Sequence, residues 1–497
     1  MMNSRVLALI AVSLFYSFGT FVANAEYQLN KHQKAAFKTV AKVLDRLEKK
    51  ELLIFNQNEA DPDPMGEEAL RLFKLANFKE LDEYFDEIVA AKAHSHEGRY
   101  IYVEVAEYFR DQFAHTAQFQ AWRDTTGSSH AYALSGLHEM NLAWRKRGSD
   151  VASKVTQKGW VGFAEHLEIS EGYLKKCREI DPKHPGIYDT WMTVEMGKGD
   201  DLDAFEKLYL EGIKHHPENG IYYNKVLYAL TLKWGGTIER RLAFAKKYGA
   251  RQKADALIVW SLHQILKSAL DDWSHESPTW PFKLKEVSTV YERLLDFWIK
   301  MVPNAPRPYS SSAMILMRHN AFDYAKKYST MGVEKFPEDW RVQKFAGESR
   351  FYLKDYKNAI PYLEKCFELV PEYAIVHYQC ALSYQEIGKP EKALSLFKKS
   401  LDKLHLRSER RKRVDSYYFV TRLALELKKA DEAAAYAKAG IAEGLEKEMP
   451  GLHLVLGDVA QWKEDKAAAR KHYLKAVELD PRFKANLDKA YPGWEKW

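Results

Sequence analysis

Pro303, Pro337 and Pro371 stand 34 residues apart, and this spacing constrains the fold more than any other feature of the chain. A fixed period of that length marks one supersecondary unit repeated along the chain. Proline suits the end of such a unit, because it lacks an N–H and its ring clashes with the preceding helical turn. If the unit is a pair of antiparallel helices, small residues should recur where the two backbones approach. They do. Counting back from Pro371 reaches Gly347 and Ala359, and counting back from Pro337 reaches Ala313 and Ala325. Counting forward from Pro371 gives Ala381, Tyr384, Ala393 and Phe397. The last unit closes at Asp480-Pro481, with Gly457, Ala469, Tyr473 and Ala476 in register. Pro371 and Pro481 are separated by three periods plus about eight residues, a surplus assigned to Leu406–Arg413, which reads LRSERRKR. A degenerate unit then carries Ala433 and Ala437 at helix-contact positions.

These residues resemble the tetratricopeptide repeat, over residues 303–481. The resemblance implies an all-α fold, a right-handed superhelical solenoid of antiparallel helix pairs. Upstream the same grammar is irregular. Asp181-Pro182 and His216-Pro217 each close an amphipathic segment, Glu171–Ile180 and Leu202–Ile213. Leu70, Phe73, Leu81, Tyr84, Phe85 and Ile88 recur at helical spacing, and Gly127-Ser128-Ser129 breaks one helix from the next. The stretches FKLANFKELDEYFDEIV, AWRKRGSDVASKVTQKGW, REIDPKHP and LYALTLKWGG are similar to a bacterial family, domain of unknown function 4034, over roughly residues 60–250. Trp144, Arg147, Gly148, Trp160, Trp234, Gly235 and Gly236 carry that resemblance. It implies helical segments merging into repeat-like units, and no activity. The expected organisation is therefore an irregular helical-repeat domain at 26–250, connecting helices at 251–302, tetratricopeptide repeats at 303–481 and a capping tail at 482–497. Trp494 and Trp497 would cover the outer face of the last repeat.

The first 25 residues read as an export signal. Arg5 is the positive start, Val6–Val22 is mostly apolar and uncharged, and Ala23-Asn24-Ala25 supplies the small-x-small cleavage pattern. A mature chain beginning near Glu26 would be periplasmic or secreted, with no transmembrane segment after cleavage. Three cysteines, Cys177, Cys366 and Cys380, are too few for a disulfide framework. Cys366 and Cys380 lie near enough for a bridge, although buried free thiols are the ordinary reading. Only 25 Gly and 17 Pro occur in 497 residues, which favours long helices over turn-rich sheets. The net charge of +6 gives no global support for binding nucleic acid.

Chemistry-bearing groups are few. No nucleophile elbow, phosphate loop, dinucleotide fingerprint or zinc motif is present, so the chain reads as non-enzymatic, with no metal and no cofactor. His94 and His96, His215 and His216, and the neighbours Glu165 and His166 read as surface groups. Asp200, Asp201, Asp203 and Glu206 read as a helix N-terminus, where negative charge is stabilised. Arg407, Arg410, Arg411, Lys412 and Arg413 form a basic run that could meet an acidic partner or solvate a helix start.

Two candidate sites remain. Arg307, Arg318, Arg341, Lys344, Tyr378 and Gln385 should face the concave groove, where tetratricopeptide repeats hold an extended peptide or helix. The family's carboxylate clamp is not reproduced, since Glu348 follows Lys344 by four and Ile375 replaces a basic residue. A general affinity for acidic segments is what the cations imply. The second candidate is Trp144, Arg147 and Trp160, either as an anion-binding cleft or as a helix end that Arg147 fixes through backbone carbonyls. The functional expectation is an exported scaffold for a protein or peptide partner. The rivals are a small-ligand or glycan-binding solenoid that uses the 13 Trp and 29 Tyr, and an uncatalogued hydrolase in the N-terminal half.

Overall fold

The computed structural model describes residues 29–49, 60–95, 97–199, 202–217, 219–249, 256–271, 281–404, 410–445, 447 and 449–497. The export signal, His96, Asp200, Asp201, Trp273, Trp280 and Arg407 lie outside the described residues. The described residues are helical, with one isolated bridge between His94 and Tyr100 as their only extended pairing. No helix among them is long and apolar enough to cross a membrane. The chain divides into two compact units, residues 26–308 and 309–497, each with its own packing.

In the second unit, helices stack in chain order from Phe322–Lys335 to Lys466–Leu479, each against the next. This is the helix-pair solenoid the period predicts, and the small residues show why it forms. Ala313, Ala325, Ala359, Ala381, Ala393, Ala469 and Ala476 are all fully buried. A Cβ on Gly347 would stand 2.6 Å from the side chain of Leu363, so only glycine admits that approach. Phe397 and Tyr473 fill the adjoining holes without exposure.

The turn inside each pair is equally regular. Asn320, Lys354, Gly388, Lys428 and Glu464 all adopt left-handed backbone, with φ between 57° and 73°. In each, the next residue's N–H returns to a carbonyl five back, as Asp355 does to Arg350 at 2.8 Å and Asp465 to Ala460 at 3.0 Å. Four of these five positions lack glycine, so hydrogen bonding and packing offset the left-handed penalty of about 1 kcal/mol. These turns also relocate the surplus residues. Most fall between Gly388 and Lys428, where the helix Arg410–Glu426 has 17 residues against 13 in Trp340–Tyr352, and the remainder falls before Glu464. The insertion is therefore divided between two repeats rather than confined to one loop.

The tail packs on the last repeat. Trp494 is buried edge-on against Tyr473 at 5.8 Å, and Tyr491 stacks on the same ring at 5.4 Å. Asp458 accepts hydrogen bonds from the Tyr473 hydroxyl at 2.8 Å and the Tyr491 hydroxyl at 3.1 Å. Burial nevertheless dominates and pushes its carboxyl up to about 6, against the two hydroxyls that pull it down. The sign follows from linkage. The native state holds a proton that the unfolded state has released, so this group's contribution is present below about pH 4 and lost as pH rises through about 6. Asp458→Asn, which keeps an acceptor without the charge, should be less stable relative to wild type at pH 4 than at pH 7.5. The expected swing is at most about 3 kcal/mol, read by urea denaturation at both values. A difference that does not change with pH would refute it.

The first unit is built differently. Its long pair, Ser129–Arg147 against Gln157–Ile180, stands beside Gly186–Lys198. Its opening helix, Lys31–Leu47, packs on Ile238–Tyr248, Ala256–Asp271 and Lys285–Met301. Gln33 donates to the Ala269 carbonyl at 3.1 Å, and Arg293 bridges to Asp45 and Glu48 at 2.7 and 2.6 Å. The segment expected to connect the two halves is thus part of the first unit, because it supplies the apolar surface that covers Val40, Val43, Leu44 and Leu47. Cys177, Cys366 and Cys380 are buried and free. Burial pushes the Cys366 thiol up to about 12, so it is inert.

Candidate functional site

A cavity of about 960 Å³ opens in the first unit. Its wall is made by alternate helices, Ile101–Glu107, Ser129–Arg147, Gly186–Lys198 and Ile221–Ala229. Helical spacing explains which residues arrive there: Leu134, Leu137, Asn141 and Trp144 lie on one face of Ser129–Arg147, with Arg147 and Gly148 at its end. Trp160, Phe163, Tyr228 and Trp234 add rings. Trp144 meets Phe163 at 4.8 Å and Trp234 at 5.5 Å, both edge-to-face. The three residues of the second candidate site, Trp144, Arg147 and Trp160, are therefore brought together, and Trp234 and Gly235 join them.

Arg147 holds the helix end. Its guanidinium donates to the carbonyls of Gly148 at 3.2 Å and Asp150 at 3.0 Å, and sits 5.6 and 5.2 Å from the centres of the Trp144 and Trp160 rings. It positions the loop at the cavity rim rather than offering a bare anion site. Gly236 is likewise structural, since a Cβ there would stand 2.2 Å from the Leu230 carbonyl oxygen. Gly235 ends the short turn Leu232–Trp234 with φ 77°.

Sequence reasoning missed the cavity's polar lining. Lys225 pairs with Asp189 at 3.1 Å and donates to the Thr193 hydroxyl at 2.9 Å. Asn141 sits three residues before Trp144 and could have been read from helical spacing. Lys225 and Asp189 could not, because they lie 36 residues apart on different helices.

The six residues of the first candidate site divide. Arg307 belongs to the first unit, where it pairs with Glu97 at 3.5 Å and lies over the Trp260 ring at 5.4 Å. Its expected place in the repeat groove is corrected, since an ion pair and a ring already hold its guanidinium elsewhere. Arg318, Arg341, Lys344, Tyr378 and Gln385 lie on the first helices of the repeats. Arg318 and Arg341 are exposed. Lys344 is half-buried over Phe345 and Tyr373; burial opposes its charge, but Glu348 and Tyr373 outweigh burial and raise its pKa. Tyr378 reaches Asp415 at 3.5 Å, across to the next repeat.

The same face carries two carboxyls withdrawn from water. Burial pushes Glu348 up against the pull of Lys344, and pushes Asp415 up against Arg411 and Tyr378. Gln385 Oε1 and Arg422 Nε are buried without hydrogen-bond partners. The basic run is partly structural, because Arg413 pairs with Glu443 and donates to the carbonyls of Leu401 and Leu404 at 2.7 and 2.9 Å.

The histidines are not all surface groups. His94 and His216 are buried, and His166 bonds Glu139 at 2.6 Å. His130 bonds Asp86 at 3.0 Å and His184 at 2.8 Å, a chain that ends on the Gly186 N–H. Among the described residues no group of three or more His, Cys, Asp or Glu could hold a metal ion.

Comparison with known proteins follows the same division. YrrB, a tetratricopeptide repeat protein with an unusual peptide-binding site, is 17% identical; the match covers 39% of this chain and 96% of that one, with a TM-score of 0.35. MamA from Desulfovibrio magneticus RS-1 is 17% identical over 46% of this chain and 97% of its own, with a TM-score of 0.27. The Cut9 and Hcn1 hetero-tetramer is 14% identical over 93% of this chain and 83% of its own, at 0.31. No curated protein matches. Residues 67–181 match the domain of unknown function (DUF4034), and residues 346–373 and 451–483 match the tetratricopeptide repeat, so the chain is similar to tetratricopeptide repeat proteins with an N-terminal region similar to that domain.

Proposed function

We propose that this chain is an exported, non-enzymatic scaffold that holds an acidic protein or peptide segment on the first helices of its repeats, in the periplasm or cell envelope. The observation that carries the reading is the asymmetry of charge on that face. Its carboxyls, Glu348 and Asp415, are pushed towards the neutral form by burial, while Arg341, Arg411 and Lys412 stand on the same helices. A face arranged this way attracts acidic segments and steers their approach. Support for export is the charged start, apolar run and small-x-small site of residues 1–25.

The test uses the full chain and two fluorescent 12-residue peptides, one rich in Glu and one rich in Lys. The acidic peptide should bind with salt-sensitive affinity, weakened at least tenfold by Arg341→Glu with Arg422→Gln. Arg341 is in the first turn of its helix, where a negative charge is tolerated, so the variant should fold. Equal binding of both peptides, or an unchanged affinity in the variant, would overturn the reading. Export is checked separately, by whether the mature N-terminus found by mass spectrometry is Glu26.

A further inference from the structure

We infer that the cavity of the first unit is a binding site for a short neutral oligosaccharide. Three observations point there. The first is an excess of donors. Tyr102 Oη, Asn141 Nδ2, Trp144 Nε1 and Trp234 Nε1 are buried without hydrogen-bond partners, and all four residues line the cavity. Tyr102 is 1% and Asn141 9% exposed, so bulk water does not satisfy them. Leaving such groups unmade costs about 1–3 kcal/mol each, a cost that a ligand rich in acceptor oxygens removes.

The second observation is charge. Lys225 is paired with Asp189, Arg110 with Glu107 at 3.4 Å, and Arg147 is engaged by backbone carbonyls. The lining's ions largely cancel one another, which disfavours an anion and favours a neutral guest.

The third is shape and surface. Trp144, Trp160 and Trp234 bring three indoles to one cavity, and a volume of about 960 Å³ is near the upper end of ordinary ligand sites. Sugar rings present flat C–H faces that pack on indoles, and hydroxyl, ring and glycosidic oxygens that accept hydrogen bonds. A peptide backbone brings as many N–H donors as carbonyl acceptors, and a wall with unpartnered donors leaves the peptide's own donors unmet.

The inference is independent of the repeat face, and its test reads a different surface. Chitotetraose, cellotetraose and maltotetraose are titrated into the full chain, with binding followed by tryptophan fluorescence and calorimetry. At least one should bind saturably and change the tryptophan emission. Trp160→Ala should weaken that binding at least tenfold. Trp234→Phe, which keeps a ring and removes the N–H, should weaken it about fivefold while circular dichroism stays unchanged. The inference is overturned if no tetraose binds at millimolar concentration, if Trp160→Ala and Trp234→Phe both bind as wild type does, or if the Glu-rich peptide competes for the same tryptophan signal.

Discussion

Trp122→Ala should destabilise the first unit by about 3–5 kcal/mol, the largest effect of any single substitution considered for this chain. The ring is fully buried and stacks at 6.2 Å on both Phe78 and Phe85, with Phe73 at 6.0 Å and Phe109 at 6.4 Å. Truncation therefore removes both apolar burial and a set of edge and stacking contacts, and leaves a cavity that several rigid rings cannot collapse to fill. The indole also does polar work. Its N–H donates to Asp82 Oδ1 at 2.9 Å, and the same oxygen accepts from the Ser128 hydroxyl at 2.7 Å. Ser128 in turn caps the helix Ser129–Arg147 by accepting from the Ala131 N–H at 3.1 Å. Loss of Trp122 should thus reach the start of the helix that forms the cavity wall. Urea denaturation measures the total, and hydrogen exchange should show lost protection in Phe78–Ala91 and Ser129–Arg147. Trp122→Phe should keep most of the packing and cost about 1–2 kcal/mol, mainly the hydrogen bond. A loss below about 1 kcal/mol for Trp122→Ala would contradict this account.

Gly457→Ala should be nearly as damaging, and its control should move the other way. A Cβ on Gly457 would stand 2.3 Å from Tyr473 Cε1. Tyr473 cannot yield, because its hydroxyl is tied to Asp458 and its ring lies against Tyr491 and Trp494. Overpacking of this kind costs about 1–3 kcal/mol, more when the neighbour is immobile. Gly172, in the exposed middle of Gln157–Ile180, has nothing within 4 Å of the same added atom. Gly172→Ala should stabilise by about 0.5–1 kcal/mol, through backbone entropy and helix propensity. Thermal melts of the two variants distinguish the effects. Shifts of the same sign would show that close helix approach at Gly457 is not what requires glycine there.

The repeat half was legible because its grammar is local. Each pair of helices must meet at a small residue and stop at a proline or its equivalent, so Gly347, Ala359, Ala381, Ala393 and Gly457 announce their roles within one period. Trp144, Arg147 and Trp160 were legible as a group for a similar reason, since a helix end and the start of the next helix place them together. The left-handed turns were not legible, because four of five use Asn, Lys or Glu where the conformation alone would suggest glycine.

Sequence alone determined the helix-pair architecture and its period, since both follow from contacts between residues less than one repeat apart. Tertiary structure decided the rest. It placed Arg307 against Glu97 and Trp260, joined Lys31–Leu47 to helices about 200 residues later, and gathered Tyr102, Asn141, Asp189, Lys225 and Trp234 around one cavity. Those partners are separated by tens to hundreds of residues and share no period, so only the packing of one helix on another brings them within reach.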